Sequence, residues 1–170
     1  MRIDSVLVVT MVAACMSVTA CERRGPAKPQ TIPTLSLGQV VAQILVSNPG
    51  WHLGTNDDCT NPLLKEKLAD NPTYQAYRGI GDLNGDGHTD RVLIIVKGDS
   101  GRLYWVPGNI NSYDAPQVLG TLNWVKEGGI ILQGQSATFG RFFSDVAVTW
   151  KWNPSTRSLD FVDDNPGSNN

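Results

Sequence analysis

The spacing of apolar residues changes near residue 74, from a helical repeat to an alternating one. A repeat of three and four residues predicts an amphipathic helix over 36–47, with Ser36 as its N-cap and Asn48-Pro-Gly50 as its end. The apolar positions of this repeat are Leu37, Val40, Val41, Ile44 and Leu45. A second, shorter helix is predicted to begin at Asn61, with Pro62 at its first position.

Segments rich in β-branched and aromatic residues follow and predict β-strands. They are Tyr74–Ile80, Arg91–Lys97, Arg102–Val106, Gln117–Asn123, Gly129–Gln133, Asp145–Trp152 and Leu159–Val162. Glycine, asparagine and proline at 98–101 and 153–156 predict hairpin turns. Trp150 and Trp152 share one face of their strand, so we expect both in the core, whereas one of the adjacent Tyr104 and Trp105 should point outward. The sequence therefore predicts an α+β fold, with one or two N-terminal helices followed by a mainly antiparallel sheet of about six or seven strands.

The N-terminal residues 1–20 have the composition of a secretory signal peptide. Arg2 precedes an apolar stretch that ends in Val18-Thr-Ala-Cys21. This ending resembles the lipobox of bacterial lipoproteins, which implies acylation, palmitate included, at Cys21. A polar tether over 21–34 follows and favours Cys21 over the competing Cys15. We therefore expect a periplasmic lipoprotein anchored to a bacterial envelope membrane, with the outer membrane favoured, and the alternative is a plain cleaved signal and a secreted protein.

The remaining chain has the size of a single domain over 35–163, followed by a flexible tail over 164–170. The formal net charge of the 170-residue chain is −2, which gives no electrostatic argument for a nucleic-acid partner. If Cys21 is acylated, Cys59 has no thiol partner in the chain, and if processing occurs at Cys15, a Cys21–Cys59 disulfide is the alternative. The acidic neighbours Asp57 and Asp58 argue against Cys59 as a nucleophile.

The segment Asp82-Leu-Asn-Gly-Asp-Gly-His-Thr-Asp90 carries the strongest chemical signal. Asp82, Asn84 and Asp86 alternate along it, and Asp90 closes the set. Oxygen atoms from these four side chains and the main-chain carbonyl of His88 would suit calcium, which takes about six to eight oxygen ligands. An EF-hand would need a glutamate at the twelfth position, where this chain has Leu93, so the loop is not an EF-hand.

A loop of this pattern that runs directly into a strand resembles the calcium turns of FG-GAP/VCBS repeats. The resemblance covers Gly81–Val96 and implies a structural calcium site in a small exported protein. The sequence has no second copy, so a multi-blade propeller is unsupported. The alternative is a turn rich in asparagine, aspartate and glycine that holds no ion.

Two segments invite a catalytic interpretation that the rest of the chain does not support. Gly98-Asp-Ser-Gly101 resembles the nucleophile segment of trypsin-like serine proteases, but neither His52 nor His88 lies in a matching context. A glycosidase carboxylate pair could come from Asp57, Asp58 and Glu66. We predict no catalytic residues and expect a non-enzymatic protein.

Large aromatic residues either pack in the core or form a surface for ligand stacking. They include Trp51, Tyr104, Trp105, Trp124, Trp150 and Trp152. We expect a calcium-binding lipoprotein domain that binds a protein partner in the cell envelope, one candidate being an immunity or inhibitor protein against a cell-wall hydrolase. The alternative is an envelope polysaccharide-binding domain or glycan hydrolase. The segments Asn109–Asp114 and Gly134–Arg141 are expected to be loops that contact the partner.

Overall fold

The computed structural model describes residues 35–162. The predicted signal peptide, the predicted tether, the predicted acylation site Cys21 with its competitor Cys15, and the tail after Val162 lie outside the described residues. Helix α1 spans Leu37–Val46 and α2 spans Leu64–Asp70, with single 3-10 turns at Asn56–Asp58 and Val125–Glu127. The strands are β1 His52–Leu53, β2 Arg78–Gly81, β3 Asp90–Lys97, β4 Ser100–Val106, β5 Gly108–Asn109, β6 Ser112–Tyr113, β7 Gln117–Leu122, β8 Gly128–Gln133, β9 Ser136–Arg141, β10 Ala147–Asn153 and β11 Ser158–Val162.

The predicted α+β class is confirmed, but the described strands form three sheets instead of one sheet of six or seven strands. In the first sheet the order is β1-β3-β4-β7, and β2 pairs with β3 beside β1. In the second sheet the order is β11-β10-β9-β8, and β5 and β6 form a separate hairpin. Every strand pair is antiparallel.

Helix α1 begins as its sequence predicts, with Ser36 as the N-cap. The Gln39 main-chain N–H donates to Ser36 Oγ at 3.3 Å, and the Ser36 N–H donates to Gln39 Oε1 at 2.8 Å. This reciprocal capping box satisfies two donors that a helix start otherwise leaves unpaired. Val40 and Ile44 on the same helix face are buried against the first sheet.

The central strands of the first sheet, β3 and β4, are buried on both faces. Side chains of Val92, Ile94 and Val96 pack into the core that the two large sheets share. Leu93 and Ile95, which point the other way, pack against α1. Successive side chains of β3 are thus buried in two different cores on opposite faces of the sheet, which explains why its apolar run is uninterrupted.

Two-sided burial also corrects the expectation for Tyr104 and Trp105. Both side chains are buried, at 5% and 2% exposure, because Tyr104 lies under α1 and Trp105 faces the second sheet. The expectation that one of them points to solvent assumed a sheet with one open face and is wrong.

The segment Gly134–Arg141 is a second correction, because most of it is β9, an inner strand of the second sheet. Its Ser, Thr and Gly content suggested a loop, yet Ala137 and Phe139 are fully buried in the core. The other expected loop, Asn109–Asp114, contains part of the β5–β6 hairpin and turns at Asn111, where φ is +58°. Of the two segments expected to be loops, only Asn109–Asp114 contains an exposed turn.

The second helix starts at Leu64 and not at Asn61. The Asn61 side chain instead makes two hydrogen bonds ahead of the helix. Its Oδ1 accepts the Leu63 N–H at 3.0 Å, while its Nδ2 donates to the Glu127 carbonyl at 2.9 Å. The latter bond ties the start of α2 to the segment that leads into β8.

Candidate metal-binding loop

The loop with the calcium-type pattern connects two neighbouring antiparallel strands. Strand β2 ends at Gly81 and β3 begins at Asp90, and these two residues are paired in the ladder. The Asp82 carboxylate accepts main-chain N–H groups from Gly85 at 2.7 Å and Gly87 at 2.9 Å. Both glycines have positive φ, +76° and +83°, a conformation that glycine adopts without a Cβ clash.

The middle of the loop repeats this arrangement on a smaller scale. Asn84 Oδ1 accepts the Asp86 N–H at 3.1 Å, and Asp86 Oδ1 accepts the His88 N–H at 2.8 Å. The Asn84 amide also donates to Asp86 Oδ2 at 2.8 Å. Each of these polar side chains therefore accepts a hydrogen bond from a main-chain N–H group and stabilises the bend of the loop.

Asp90 differs from the other predicted ligands because it is fully buried. One carboxylate oxygen accepts the Leu83 N–H at 2.9 Å, and the other accepts the Gly108 N–H at 2.7 Å. A Cβ on Gly108 would lie 2.2 Å from the Thr89 carbonyl oxygen, so only glycine allows this approach. Asp90 thereby fixes both the metal-type loop and the β5–β6 hairpin to the start of β3.

The electrostatics of Asp90 are those of a buried anion without a cationic partner. Burial raises the pKa of its carboxyl group, although the N–H groups of Gly108 and Leu83 act in the opposite direction. The buried Trp105 indole N–H also lowers this pKa, and the charge of Asp86 raises it. No lysine or arginine of residues 35–162 forms an ion pair with Asp90.

The loop fits a hard cation in composition but does not gather its carboxylates around one point. Within residues 35–162, no group of three or more Asp, Glu, His or Cys side chains is placed to hold a metal ion. Asp82 and Asp86 are exposed and are turned toward main-chain N–H groups. The donor set and the unpaired Asp90 suit calcium, and the convergence of Asp82, Asn84, Asp86, the His88 carbonyl and Asp90 on one ion stays a prediction.

Of the carboxylates considered for a glycosidase pair, Asp58 is held by local hydrogen bonds. Asp58 lies 2.7 Å from His52 Nε2 and accepts the Thr55 N–H at 2.9 Å. Burial tends to raise the pKa of Asp58, but the hydrogen bonds from Thr55 and His52 outweigh it, so the pKa is lowered. A general acid needs the opposite shift, so Asp58 is poorly suited to that role.

The tetrapeptide Gly98-Asp-Ser-Gly101, which resembles the nucleophile segment of serine proteases, lies at the hairpin turn between β3 and β4, as predicted. Lys97 pairs with Ser100 across β3 and β4, and Gly98 has a φ of +60°. Asp99 forms an exposed ion pair with Lys126 at 2.9 Å. Cys59 is half-buried, makes no disulfide with a described residue, and has a pKa that burial raises, which agrees with an unreactive thiol.

Most of the large aromatic side chains are used for packing. Trp150 is buried and donates its indole N–H to the Leu119 carbonyl at 3.1 Å, which links the second sheet to β7. Trp152 packs edge to face on Trp105 with ring centroids 5.5 Å apart. The half-buried Trp51 lies under the guanidinium of Arg102, 5.0 Å away. A stacking surface for sugars therefore has little support.

A cavity of about 530 Å³ lies between the metal-type loop and the β5–β6 hairpin. His88 and Tyr113 line it, and Ile110 at the hairpin tip is 71% exposed. Because Asp90 bonds to the main chain on both sides, the shape of this cavity depends on the loop.

Comparisons with protein family models, curated proteins and solved structures gave no match to this chain. In residues 35–162, no helix has the length and hydropathy needed to cross a membrane.

We expect Asp90→Asn to destabilise the metal-free protein. Leu83 and Gly108 present two N–H donors to the two carboxylate oxygens, and an asparagine offers one acceptor and one further donor. The unsatisfied buried donor should lower the free energy of unfolding by about 1–3 kcal/mol. Urea denaturation in the presence of a chelator measures this change.

The matched control is Asp99→Asn, which makes the same chemical change at an exposed turn residue. Its effect should stay within roughly 0.5 kcal/mol. Equal stability of the two variants would contradict the structural role assigned to Asp90.

Proposed function

We propose that this chain is a calcium-stabilised binding domain of the bacterial cell envelope and not an enzyme. The observation that carries the proposal is the loop Asp82–Asp90, whose buried terminal carboxylate has no cationic partner in residues 35–162. A calcium ion held by Asp82, Asn84, Asp86, the His88 carbonyl and Asp90 would supply the missing positive charge.

The proposed role of the ion is structural. Asp90 joins the loop to the β5–β6 hairpin through the Gly108 N–H. An ion that fixes the loop would therefore also fix the cavity beside it and the exposed Ile110. Partner binding through this surface should depend on calcium for that reason.

The proposed location follows from the N-terminal sequence. Val18-Thr-Ala-Cys21 resembles a lipobox, and residues 21–34 are polar enough to act as a tether. We propose that Cys21 carries the lipid and that the domain faces the periplasm, where a secreted hydrolase would be an accessible protein partner. An immunity or inhibitor protein against such an enzyme agrees with a small rigid domain that lacks a supported catalytic site.

Calcium should raise the melting temperature of the metal-stripped protein. A ligand that binds only the native state at about a hundred times its Kd stabilises it by about 2.7 kcal/mol. For a domain of this size the shift corresponds to about 10 °C. Differential scanning calorimetry with calcium and with chelator measures it, and calorimetric titration gives the stoichiometry.

Asp86→Ala should abolish the calcium response, because it removes an exposed ligand without touching the core. Asp145→Ala, an exposed aspartate outside the loop, should keep the full response. A wild-type melting temperature that ignores calcium would remove the support for the site.

Radiolabelled palmitate should be incorporated into the full chain in a bacterial host, and Cys21→Ser should abolish the label. Cys15→Ser is the matched control and should retain it. Label that survives Cys21→Ser and disappears in Cys15→Ser would place the acylation at the competing position.

The purified domain should capture one envelope protein from a calcium-containing extract and release it in chelator. If the inhibitor hypothesis is right, the captured protein is a cell-wall hydrolase, and its turnover of peptidoglycan falls when the purified domain is added. Retention of peptidoglycan itself, or release of muropeptides by the domain alone, would favour the polysaccharide-binding or hydrolase alternative.

A further inference from the structure

A groove of about 540 Å³ runs along the line where β2 of the first sheet and β8 of the second lie side by side. We call this feature the β2–β8 groove. At one end the two sheets are tied by a main-chain bond from the Ile130 N–H to the Ala76 carbonyl, at 2.8 Å. Farther along, the Leu132 side chain packs directly against Gly79, so that a Cβ on Gly79 would lie 2.8 Å from it.

Both walls of the groove are strand edges with free main-chain groups. The Ile94 N–H donates to the Tyr77 carbonyl, so the alternation of an antiparallel ladder turns the N–H and C=O of Ile80 away from β3. On the other wall, the Ile130 N–H points away from β9, and by the same alternation so do the main-chain groups of Leu132. Outside the strand ladders, no main-chain hydrogen bond of the described residues involves Ile80 or Leu132.

Two exposed apolar side chains also line the groove. Ile80 is 64% exposed and Ile131 is 49% exposed, and both line it. The ring of Tyr74 is half-buried in the same wall. An exposed strand edge beside apolar side chains is the arrangement that accepts an additional strand from a partner.

The charge of the groove is positive although the chain as a whole is negative. Lys67 and Arg78 line it, and no aspartate or glutamate does. Among residues 35–162, neither cation has a carboxylate within 4.0 Å. Two unpaired cations in a chain with a formal net charge of −2 give this edge a local preference for an acidic partner.

We infer that the β2–β8 groove binds an extended peptide segment in which apolar and acidic residues alternate along one side. This inference rests on the proposed function, because it specifies the partner chemistry of a macromolecule-binding domain. In an extended peptide, successive side chains point to opposite sides. Arg78 and Ile80 are two positions apart on β2, so both side chains point to the same side of the sheet. The matching side of the peptide places apolar residues beside Ile80 and Ile131 and carboxylates beside Lys67 and Arg78, and the peptide main chain pairs with the free edge at Ile80.

A fluorescein-labelled peptide with valine and glutamate alternating along one side, and serine at the intervening positions, is the probe. Fluorescence anisotropy with the calcium-loaded wild-type domain is the measurement. We expect saturable binding that weakens as sodium chloride is added. The double variant Lys67→Glu/Arg78→Glu should bind about tenfold more weakly. A peptide of the same sequence with alternate main-chain nitrogens methylated should also bind about tenfold more weakly, because it cannot pair with a strand edge.

The control is Lys65→Glu/Lys151→Glu, which changes net charge by the same amount at exposed positions outside the groove. This variant should bind the probe as the wild type does, and circular dichroism confirms that both variants are folded. Three results would overturn the inference: no binding of the acidic probe, equal loss in the two double variants, or equal binding of a peptide with lysine in place of glutamate. Full competition by polygalacturonate with undiminished binding of the methylated peptide would also overturn it in favour of an anionic polysaccharide.

The result is separable from the test of the proposed function. If the probe fails while the domain still captures its partner in a calcium-dependent way, the groove is not the binding surface and the proposed function stands. If the probe binds as expected while calcium has no effect on stability or capture, the groove inference stands and the calcium proposal fails.

Discussion

Burial of the central strands β3 and β4 on both faces is the constraint that places the other elements. Strand β3 packs against α1 on one side and against the second sheet on the other, so its side chains alternate between two apolar cores. A strand in this position has no face for polar side chains, and its polar contacts are confined to its ends. Asp90 stands at one such end, and this position explains why a carboxylate is buried there without a cation.

The same geometry connects the two surfaces to which we assign functional roles. The metal-type loop enters β3 at Asp90, and β2 lies on the other side of that loop. Strand β2 borders the β2–β8 groove, and its last residue, Gly81, pairs with Asp90, one of the proposed calcium ligands. The loop and the β2 edge are therefore joined through the β2–β3 ladder.

Much of the fold could be predicted from sequence where local pattern and tertiary packing agree. The capping box at Ser36 and the β-branched run of β3 are local signals, and both were sufficient. Strand β9 was missed because its Ser, Thr and Gly residues carry weak strand signals, and its burial comes from neighbouring strands that are distant in sequence. The inward direction of Tyr104 could not be predicted either, because it depends on α1, which lies more than 50 residues earlier.

The loop between β2 and β3 could be located from the sequence, but its contacts could not. Alternating oxygen donors between two strands identify the loop, whereas the bond from Asp90 to the Gly108 N–H joins segments that no local pattern relates. The glycines of β2 have a comparable long-range cause. Glycine has a low intrinsic propensity for strands, yet Gly79 must lack a side chain so that Leu132 can close the joint between sheets. Substitution at this joint is therefore constrained at both positions: a smaller residue in place of Leu132 would leave a void, and any side chain in place of Gly79 would force Leu132 to shift.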